Sequence, residues 1–406
     1  MALESEIQPY GIDGAGSPPV VESRSVTILG ATGSVGQSTI DLVAADRDRF
    51  PVVALTAQSN VDLLSRDARR LGAQLAVIGD ADRYEDLKAA LSGSGVAVAA
   101  GEAALCDAAR LEADWVMSAI VGAAGIGPTM AAVDRGAMVA FANKECLVSA
   151  GPLMMERVRR SGAVLLPVDS EHNAVFQVFD DRQRANIERI ILTASGGPFR
   201  KASIDEMAAA TAAQAVAHPT WSMGAKISID SATMMNKGLE IIEAAYLFDM
   251  KDDRISVVVH PQSIIHSLVA YTDGSMLAQL GSPDMRVPIG HVLGWPGRLS
   301  TSARRLDFAD LLTLEFAPPD ADRFPALDVC REALRVGKSL PTTLNAANEV
   351  AVAAFLAGKL RFLDIVRVVD DVCGRMPVAS LDDLDHVFDI DRAARAEAHL
   401  SVGRLS

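Results

Sequence analysis

Cysteine is scarce: only four of the 406 residues are cysteine, and no two of them form a Cys-x-x-Cys pair. A paired-thiol framework is thereby excluded, and Cys106, Cys146, Cys330 and Cys373 read as reduced, mostly buried thiols of a cytosolic protein. Aromatic residues make up 5% of the chain while half of it is hydrophobic, the Ala, Val and Leu-rich balance of a soluble α/β enzyme. No apolar run reaches the roughly 18 to 20 residues needed to span a bilayer, so no membrane partner is expected. Basic residues are in the minority, 38 Lys and Arg against 52 Asp and Glu, for a net charge of −14. That excludes a general binder of nucleic acid or of anionic membranes. Any anionic ligand must be held by local groups. The opening Met-Ala-Leu-Glu-Ser-Glu has neither the positive start of a signal peptide nor the acid-poor, Arg-rich character of a transit peptide. Residues 1–23, with Pro9, Gly11, Gly14, Gly16, Pro18 and Pro19, read as a flexible leader.

The length predicts two or three domains. A short β-branched run at 25–29 leads into Gly30-Ala-Thr-Gly-Ser-Val-Gly36 and then a helical pattern through Ala45. Strand, glycine turn and helix in that order form a dinucleotide-binding arrangement, because glycines admit a pyrophosphate close to the backbone and the helix N-terminus faces it. The next strand, at 52–56, ends in Ala57-Gln58-Ser59-Asn60, with no acidic residue before Asp62 to hold a ribose 2′-hydroxyl. NADP is therefore favoured over NAD, with Gln58, Ser59 and Asn60 able to hydrogen-bond a 2′-phosphate. Arg66, Arg69 and Arg70 on the following helix either assist or stay solvated. Further strands at 75–78, 115–120 and 138–142, separated by helical stretches, predict a doubly wound parallel sheet.

Ligands of such folds gather beyond the carboxyl ends of strands, and polar clusters stand there. They are Asn143-Lys144-Glu145, Asp169-Ser170-Glu171-His172-Asn173 and Ala194-Ser195-Gly196-Gly197. Asp169 and Glu171, two apart, point to one side of an extended chain. With Glu240 they make three hard oxygen ligands suited to Mg²⁺ or Mn²⁺. His172 is expected to be structural rather than a ligand. The stretch 226–240 reads as one amphipathic helix with Asp230 or Ser231 as N-cap. Asn236, Lys237 and Glu240 then share one face, and Met235, Leu239, Ile242 and Tyr246 form the apolar stripe beside it. A helix start with hydroxyls, an amide and an ammonium suits a phosphate.

An Ala-rich helical stretch at 207–217 precedes His218-Pro-Thr-Trp221-Ser-Met-Gly224, whose bracketing Pro and Gly make Trp221 either a lid or a core cap. Strands at 255–259, 267–271 and 276–280, with Asp273-Gly274 as hairpin signal, predict antiparallel pairing. His260 and His266 read as structural. Helical periodicity at 326–336, 342–357, 362–373 and 391–400 predicts a small helical domain.

Taken together and in order, Gly30–Gly36, Ala142–Glu145, Val168–Asn173, Ala194–Phe199, His218–Gly224 and Asp230–Glu240 resemble the 1-deoxy-D-xylulose 5-phosphate reductoisomerases of the non-mevalonate isoprenoid pathway, over about residues 25–400. The resemblance implies an α/β chain: a Rossmann-like NADPH domain at 24–160 and an α+β catalytic domain at 161–317, with a lid near 217–225. A linker and helical domain at 318–406 follow, in a cytoplasmic homodimer. It implies NADPH and one divalent cation (Mg²⁺, Mn²⁺ or Co²⁺) as cofactors and a sugar phosphate as substrate. Thr32, Gly33, Ser34, Val35, Gln58, Ser59, Asn60, Asn143, Glu145 and Gly224 match cofactor positions. Asp169, Glu171 and Glu240 match the metal ligands. Lys144, Ser170, Glu171, Ser195, His218, Trp221, Ser231, Asn236, Lys237 and Glu240 match substrate positions, with Lys144, His218 and the three carboxylates in the catalytic set. Two readings compete. An aspartate-semialdehyde-type dehydrogenase shares the glycine turn but needs a cysteine nucleophile, and an NADP-sensing module would not need the carboxylates.

Overall fold

The computed structural model describes residues 23–221, 223–309 and 313–405. The expected leader lies outside the described residues except for Ser23, and so does Ser222 of the expected lid. Seven strands, β1 (Val26–Leu29), β2 (Val52–Ala57), β3 (Leu75–Ile78), β4 (Ala97–Ala100), β5 (Trp115–Ser118), β6 (Met138–Phe141) and β7 (Val164–Pro167), form one sheet in the order β4-β3-β2-β1-β5-β6-β7. Every neighbouring pair in it is parallel. Its central strands are buried on both faces, which explains why they read as continuous apolar runs rather than alternating ones. Ile40, Val43 and Leu64 pack on one face; Ile126, Met130 and Leu147 pack on the other.

The strand order reverses between β1 and β5, so the crevice beyond their carboxyl ends is the natural ligand site. The glycine turn is shaped for it. Gly30 has φ of 82°, and a Cβ there would stand 2.5 Å from the Ala119 carbonyl oxygen. A Cβ on Gly36 would overlap the Gly30 and Ala31 carbonyl oxygens, so the helix Ser34–Ala45 starts directly against the end of β1.

Two segments extend this sheet beyond residue 160, where the cofactor domain was expected to end. One is β7 itself. The other is the helix Arg286–Gly294, whose Ile289, Val292 and Leu293 join the core beneath β1 and β5. Arg24 donates to the carbonyls of Leu293 at 2.6 Å and Trp295 at 2.8 Å, and the Trp115 indole donates to Val292 at 3.2 Å.

A second sheet, β8 (Ile187–Ala194), β9 (Ile255–Val259), β10 (Ile265–Tyr271) and β11 (Met276–Leu280), runs β11-β10-β8-β9. The predicted antiparallel pairing holds for β10 with β8 and with β11, but β9 lies parallel to β8. The chain returns to β9 through helices, a crossover that parallel strands require. The expected Ala-rich helix at 207–217 is two short helices, Ile204–Ala208 and Ala212–Val216, each begun by its own capping box, Ser203 with Glu206 and Thr211 with Gln214. A side-chain cap ends the preceding run as firmly as it starts the next.

Four helices, Ala326–Val336, Leu340–Leu356, Asp364–Arg375 and Leu384–Leu405, close the chain. They share one core with the second sheet: Leu344, Ala347, Val368 and Ala398 belong with Ile190, Leu192, Met235 and Leu239. Among the described residues no helix is long and apolar enough to cross a membrane.

Replacing Gly36 by Ala forces a methyl group into backbone that has no room to yield. The expected loss is about 1–3 kcal/mol of folding stability, visible as a lower urea midpoint. An unchanged midpoint would show slack in the turn.

Candidate active site

The ends of β6, β7 and β8 and the junction of two helices converge on one cleft of about 310 Å³. The expected single helix at 226–240 is in fact two, Ala225–Ala232 and Met235–Leu247, separated at Met234 with φ of 63°. Thr233 makes the break: its hydroxyl donates to the Ile229 carbonyl at 3.1 Å and accepts from the Met235 N–H at 3.3 Å. Asp230 and Ser231 are therefore not N-caps, and Gly224 holds that place. Asp230 is buried instead, accepting from the Asn348 amide at 2.9 Å and pairing with Lys226 at 2.8 Å. The bend matters because it turns Ser231 from the first helix, and Asn236 and Lys237 from the second, toward the same cleft. Met235, Leu239 and Ile242 lie in the core as predicted.

Asp169 caps the helix Ser170–Val178, and Glu171 sits in its first turn. Ligand atoms of Asp169, Glu171 and Glu240 all lie within 4.8 Å of one another. Two ammonium groups stand among them. Lys144 donates to Asp169, to Asn236 at 2.9 Å and to Glu240 at 3.3 Å. Lys237 donates to Glu171 at 2.6 Å and to Glu240. Burial pulls the Lys144 ammonium down, but Asp169 and Glu240 overcome it and hold the group well above its ordinary value. Burial likewise pushes Glu171 up, and Lys237 and the Ser170 hydroxyl reverse that, down to about 2. Glu240 is the exception. Entirely buried, and facing the charge of Glu171, it is pushed up to about 7 despite both lysines. Three carboxylates against two ammonium groups leave Glu240 short of positive charge. An all-oxygen set this compact fits a hard divalent cation.

His172 is buried behind the carboxylates and, with Asp169 and Glu243, forms a second group whose ligand atoms lie within 4.8 Å of one another. Its Nε2 lies 2.9 Å from the Glu240 carbonyl oxygen and its Nδ1 3.1 Å from Glu243. Burial lowers the ring to about 4, so it is neutral. With Nε2–H donating to that carbonyl, Nδ1 is left as an acceptor. Glu243, its acid pushed up by burial and then by Asp169, lies beside that nitrogen without a hydrogen bond to it.

At the other end of the cleft His218 defines its own tautomer. Its Nδ1 accepts from the N–H groups of Thr220 at 3.1 Å and Trp221 at 2.9 Å, so Nε2 carries the hydrogen and donates to the Ser195 hydroxyl at 2.8 Å. In this arrangement His218 is a donor to Ser195 and organises the 218–221 turn. Trp221 lines the cleft half-buried, its ring 6.1 Å from His266, so it belongs to the site and not to the core.

The cofactor positions are differently placed. Ser34 and Val35 line the cleft, and Thr32, Gly33, Gln58, Ser59 and Asn60 border the crevice with little cover. Asn60 also caps the helix Val61–Leu71 by accepting from Leu63 at 3.1 Å. Asn143 and Glu145 are buried. Asn143 donates to the carbonyls of Ile120 and of Gly122, the latter at 3.1 Å, while Glu145 pairs with Lys226 at 2.8 Å. Arg69 is committed to the carbonyls of Ala90 and Ser92, and Arg66 to Asp67 and Gln37. Gly224 is exposed at the start of its helix. Sequence reasoning missed Ser38, Met223, Ser263, His266, Asp284 and Met285, which also line the cleft. Ser38 was within reach, one turn after Ser34 on the same helix face. Met285 carries no local sign. None of the four cysteines lines the cleft, so a thioester route has no nucleophile there.

A family model described as 1-deoxy-D-xylulose 5-phosphate reductoisomerase matches residues 26–151, and two models of its C-terminal regions match 165–248 and 280–397. The enzyme of that name from Rhodospirillum centenum is 58% identical over 94% of this chain and 96% of its own. The chain belongs to the 1-deoxy-D-xylulose 5-phosphate reductoisomerase family. The reductoisomerase of Zymomonas mobilis is 55% identical over 93% of this chain and 97% of its own. A solved reductoisomerase from Zymomonas mobilis in complex with NADPH superposes with a TM-score of 0.89, at 53% identity, covering 94% of this chain and 99% of that one. Another, in complex with NADPH, fosmidomycin and magnesium, also has a TM-score of 0.89, at 40% identity over 94% of this chain and 98% of that one.

Removing one charge from this cluster tests the cation fit. Glu240→Gln should lower Mn²⁺ affinity on the order of 100-fold, measured by titration calorimetry on the folded protein. Wild-type affinity would exclude Glu240 as a ligand.

Proposed function

We propose that this chain converts 1-deoxy-D-xylulose 5-phosphate to 2-C-methyl-D-erythritol 4-phosphate, rearranging the ketose phosphate to a branched aldehyde and reducing that aldehyde with NADPH. Family membership supports the activity. The observation that carries it is one cleft lined by Asp169, Glu171, a phosphate-type cradle and the first turn of the glycine-loop helix, with the buried Glu240 carboxylate within 4.8 Å of the other two. Asp169, Glu171 and Glu240 would hold Mg²⁺, Mn²⁺ or Co²⁺. A cation there supplies Lewis acidity toward the substrate's carbonyl and neighbouring hydroxyl oxygens, stabilising negative charge as carbon bonds shift. NADPH supplies the hydride.

The remaining work falls to the chain's own groups. Lys144 and Lys237 pair with the three carboxylates. Once those carboxylates have another counter-charge, both ammonium groups are free to turn to the substrate. Lys237 then joins Ser195, Ser231 and Asn236 around the phosphate, whose remote binding energy orients the reacting carbons. Lys144 offsets charge on the reacting oxygens or assists a proton transfer there. His218 holds the Ser195 hydroxyl in place, and Ser170 donates to Glu171 at 2.6 Å, keeping that carboxylate aimed. Thr32 to Val35 receive the pyrophosphate at a helix N-terminus, with Gln58, Ser59 and Asn60 toward the 2′-phosphate. Asn143 and Glu145 act from behind the cofactor, and Gly224 lets the 217–225 segment move. Trp221 on that segment closes over the aldehyde and excludes water.

The proposed organisation is a cofactor domain at 24–160, a catalytic domain at 161–317 and a helical domain at 318–406, with β7 and Arg286–Gly294 lent to the first. A homodimer is also proposed. Its support is β11, an edge strand whose Met276 and Leu277 are about half exposed and so suited to pairing. A cytoplasmic location agrees with four cysteines left as free thiols.

NADPH oxidation on adding 1-deoxy-D-xylulose 5-phosphate and Mg²⁺ is the direct assay, and chelation should stop it. Full turnover in chelator would remove the electrophile from the proposal. Separately, Trp221→Ala should lower kcat/KM by roughly tenfold or more if its ring seals the cleft, and wild-type kinetics would refute closure by that ring.

A further inference from the structure

The loop 119–123 leaves the carboxyl end of β5, on the β5 side of the crevice beside the glycine turn. Its backbone packs against Gly30 so closely that a Cβ on that glycine would stand 2.9 Å from the Ile120 nitrogen. The loop therefore forms a wall of the cofactor crevice, and its Val121 is 68% exposed. Two side chains from other parts of the chain hold it. Asn143, at the end of β6, donates to the Ile120 and Gly122 carbonyls. Glu349, from the middle of the helix Leu340–Leu356, accepts from the Ala123 N–H at 3.2 Å.

Glu349 is itself held. Its Oε1 also accepts from the Asn345 amide at 3.0 Å, and its Oε2 accepts from Arg395 at 2.5 Å. Arg395, on the helix Leu384–Leu405, is fixed in turn by Asp391 at 2.7 Å. Gly122 has φ of 77°, and a Cβ on it would stand 2.9 Å from Glu349 Oε1, so the backbone presses directly on the carboxylate. A carboxylate beneath the first N–H of the turn Ala123–Gly125 is also favoured by the dipole of the helix that follows.

We propose that Glu349, braced by Arg395, is a positioning residue for hydride transfer: through the Ala123 N–H it sets the 119–123 loop, and with it the seat of NADPH against the carboxylate cluster. The inference rests on the NADPH-dependent reading above and deepens it. The C-terminal helices then serve the chemistry and do not merely complete the core. Glu349 does not line the cleft and acts only through the loop.

The test compares Glu349→Ala, Glu349→Gln and Arg395→Lys with the wild type, reading NADPH affinity by fluorescence quenching and the steady-state constants for both substrates. Loss of one charge-assisted hydrogen bond should weaken NADPH binding and raise its KM about tenfold in Glu349→Ala, with the sugar phosphate KM and the Mn²⁺ affinity within about twofold. Glu349→Gln keeps an acceptor for Ala123 and should recover most of the NADPH affinity, as should Arg395→Lys. NADPH binding unchanged in Glu349→Ala overturns the proposal, as does an equal loss for NADPH and sugar phosphate, the mark of a merely structural role. If Glu349→Ala does not fold, Glu349→Asp, whose shorter carboxylate misses the loop, decides by the same NADPH readout. Failure of the wild type to bind NADPH overturns the functional reading instead, before any substitution is made.

Discussion

Three carboxylates and two ammonium groups share a space that solvent barely reaches, and the rest of the molecule is arranged to make that tolerable. Buried charges survive only when paired and hydrogen-bonded. Asp169, Glu171 and Glu240 find such partners in Lys144, Lys237, Asn236 and Ser170, yet the sum stays negative. That imbalance leaves Glu240 pushed up to about 7 by burial and by Glu171. A site left short of positive charge is a site prepared for a cation. The lysines serve here as internal counter-ions to those carboxylates.

Holding that cluster in register takes contributions from the whole chain. β6 and β7 deliver Lys144 and Asp169 side by side because the strands are neighbours in one parallel sheet. Glu240 arrives on a helix whose direction depends on the left-handed turn at Met234. Behind these, Lys226 pairs with both Glu145 and Asp230, and Asp230 accepts from Asn348 of the C-terminal helices. The helix that follows the Trp221 segment is thus anchored at its first turn by ion pairs, while the segment itself is tied to the end of β8 through the His218–Ser195 hydrogen bond.

Much of the fold was readable because local signals and tertiary demands agreed. Doubly buried strands need apolar runs, the turn after β1 needs glycines, and hydrophilic clusters cannot sit inside a sheet, so they mark strand ends. Errors arose where a long-range contact overrode a local preference. β4 was not foreseen because Ala97–Ala100 carries a single β-branched residue and is only partly covered. The break at Met234 was hidden because a methionine at positive φ is disfavoured, and only the surrounding core compensates for it. Arg69 looked available to a phosphate, but its guanidinium is engaged by the carbonyls that end the next helix.

By itself the sequence determined which chemistry was possible. It supplies hard oxygen ligands, ammonium groups and hydroxyls in distinctive runs, and a glycine turn placed directly after the first strand. Residue identity and near-neighbour spacing suffice for that, since they set charge, donor type and backbone freedom. Only the tertiary structure decided which of those groups meet. Glu171 and Lys237 are 66 positions apart in the chain but 2.6 Å apart in space. Glu349 reaches Ala123 across 226 positions. Such distances are set by how helices and sheets pack, which is a property of the whole core and of no single segment.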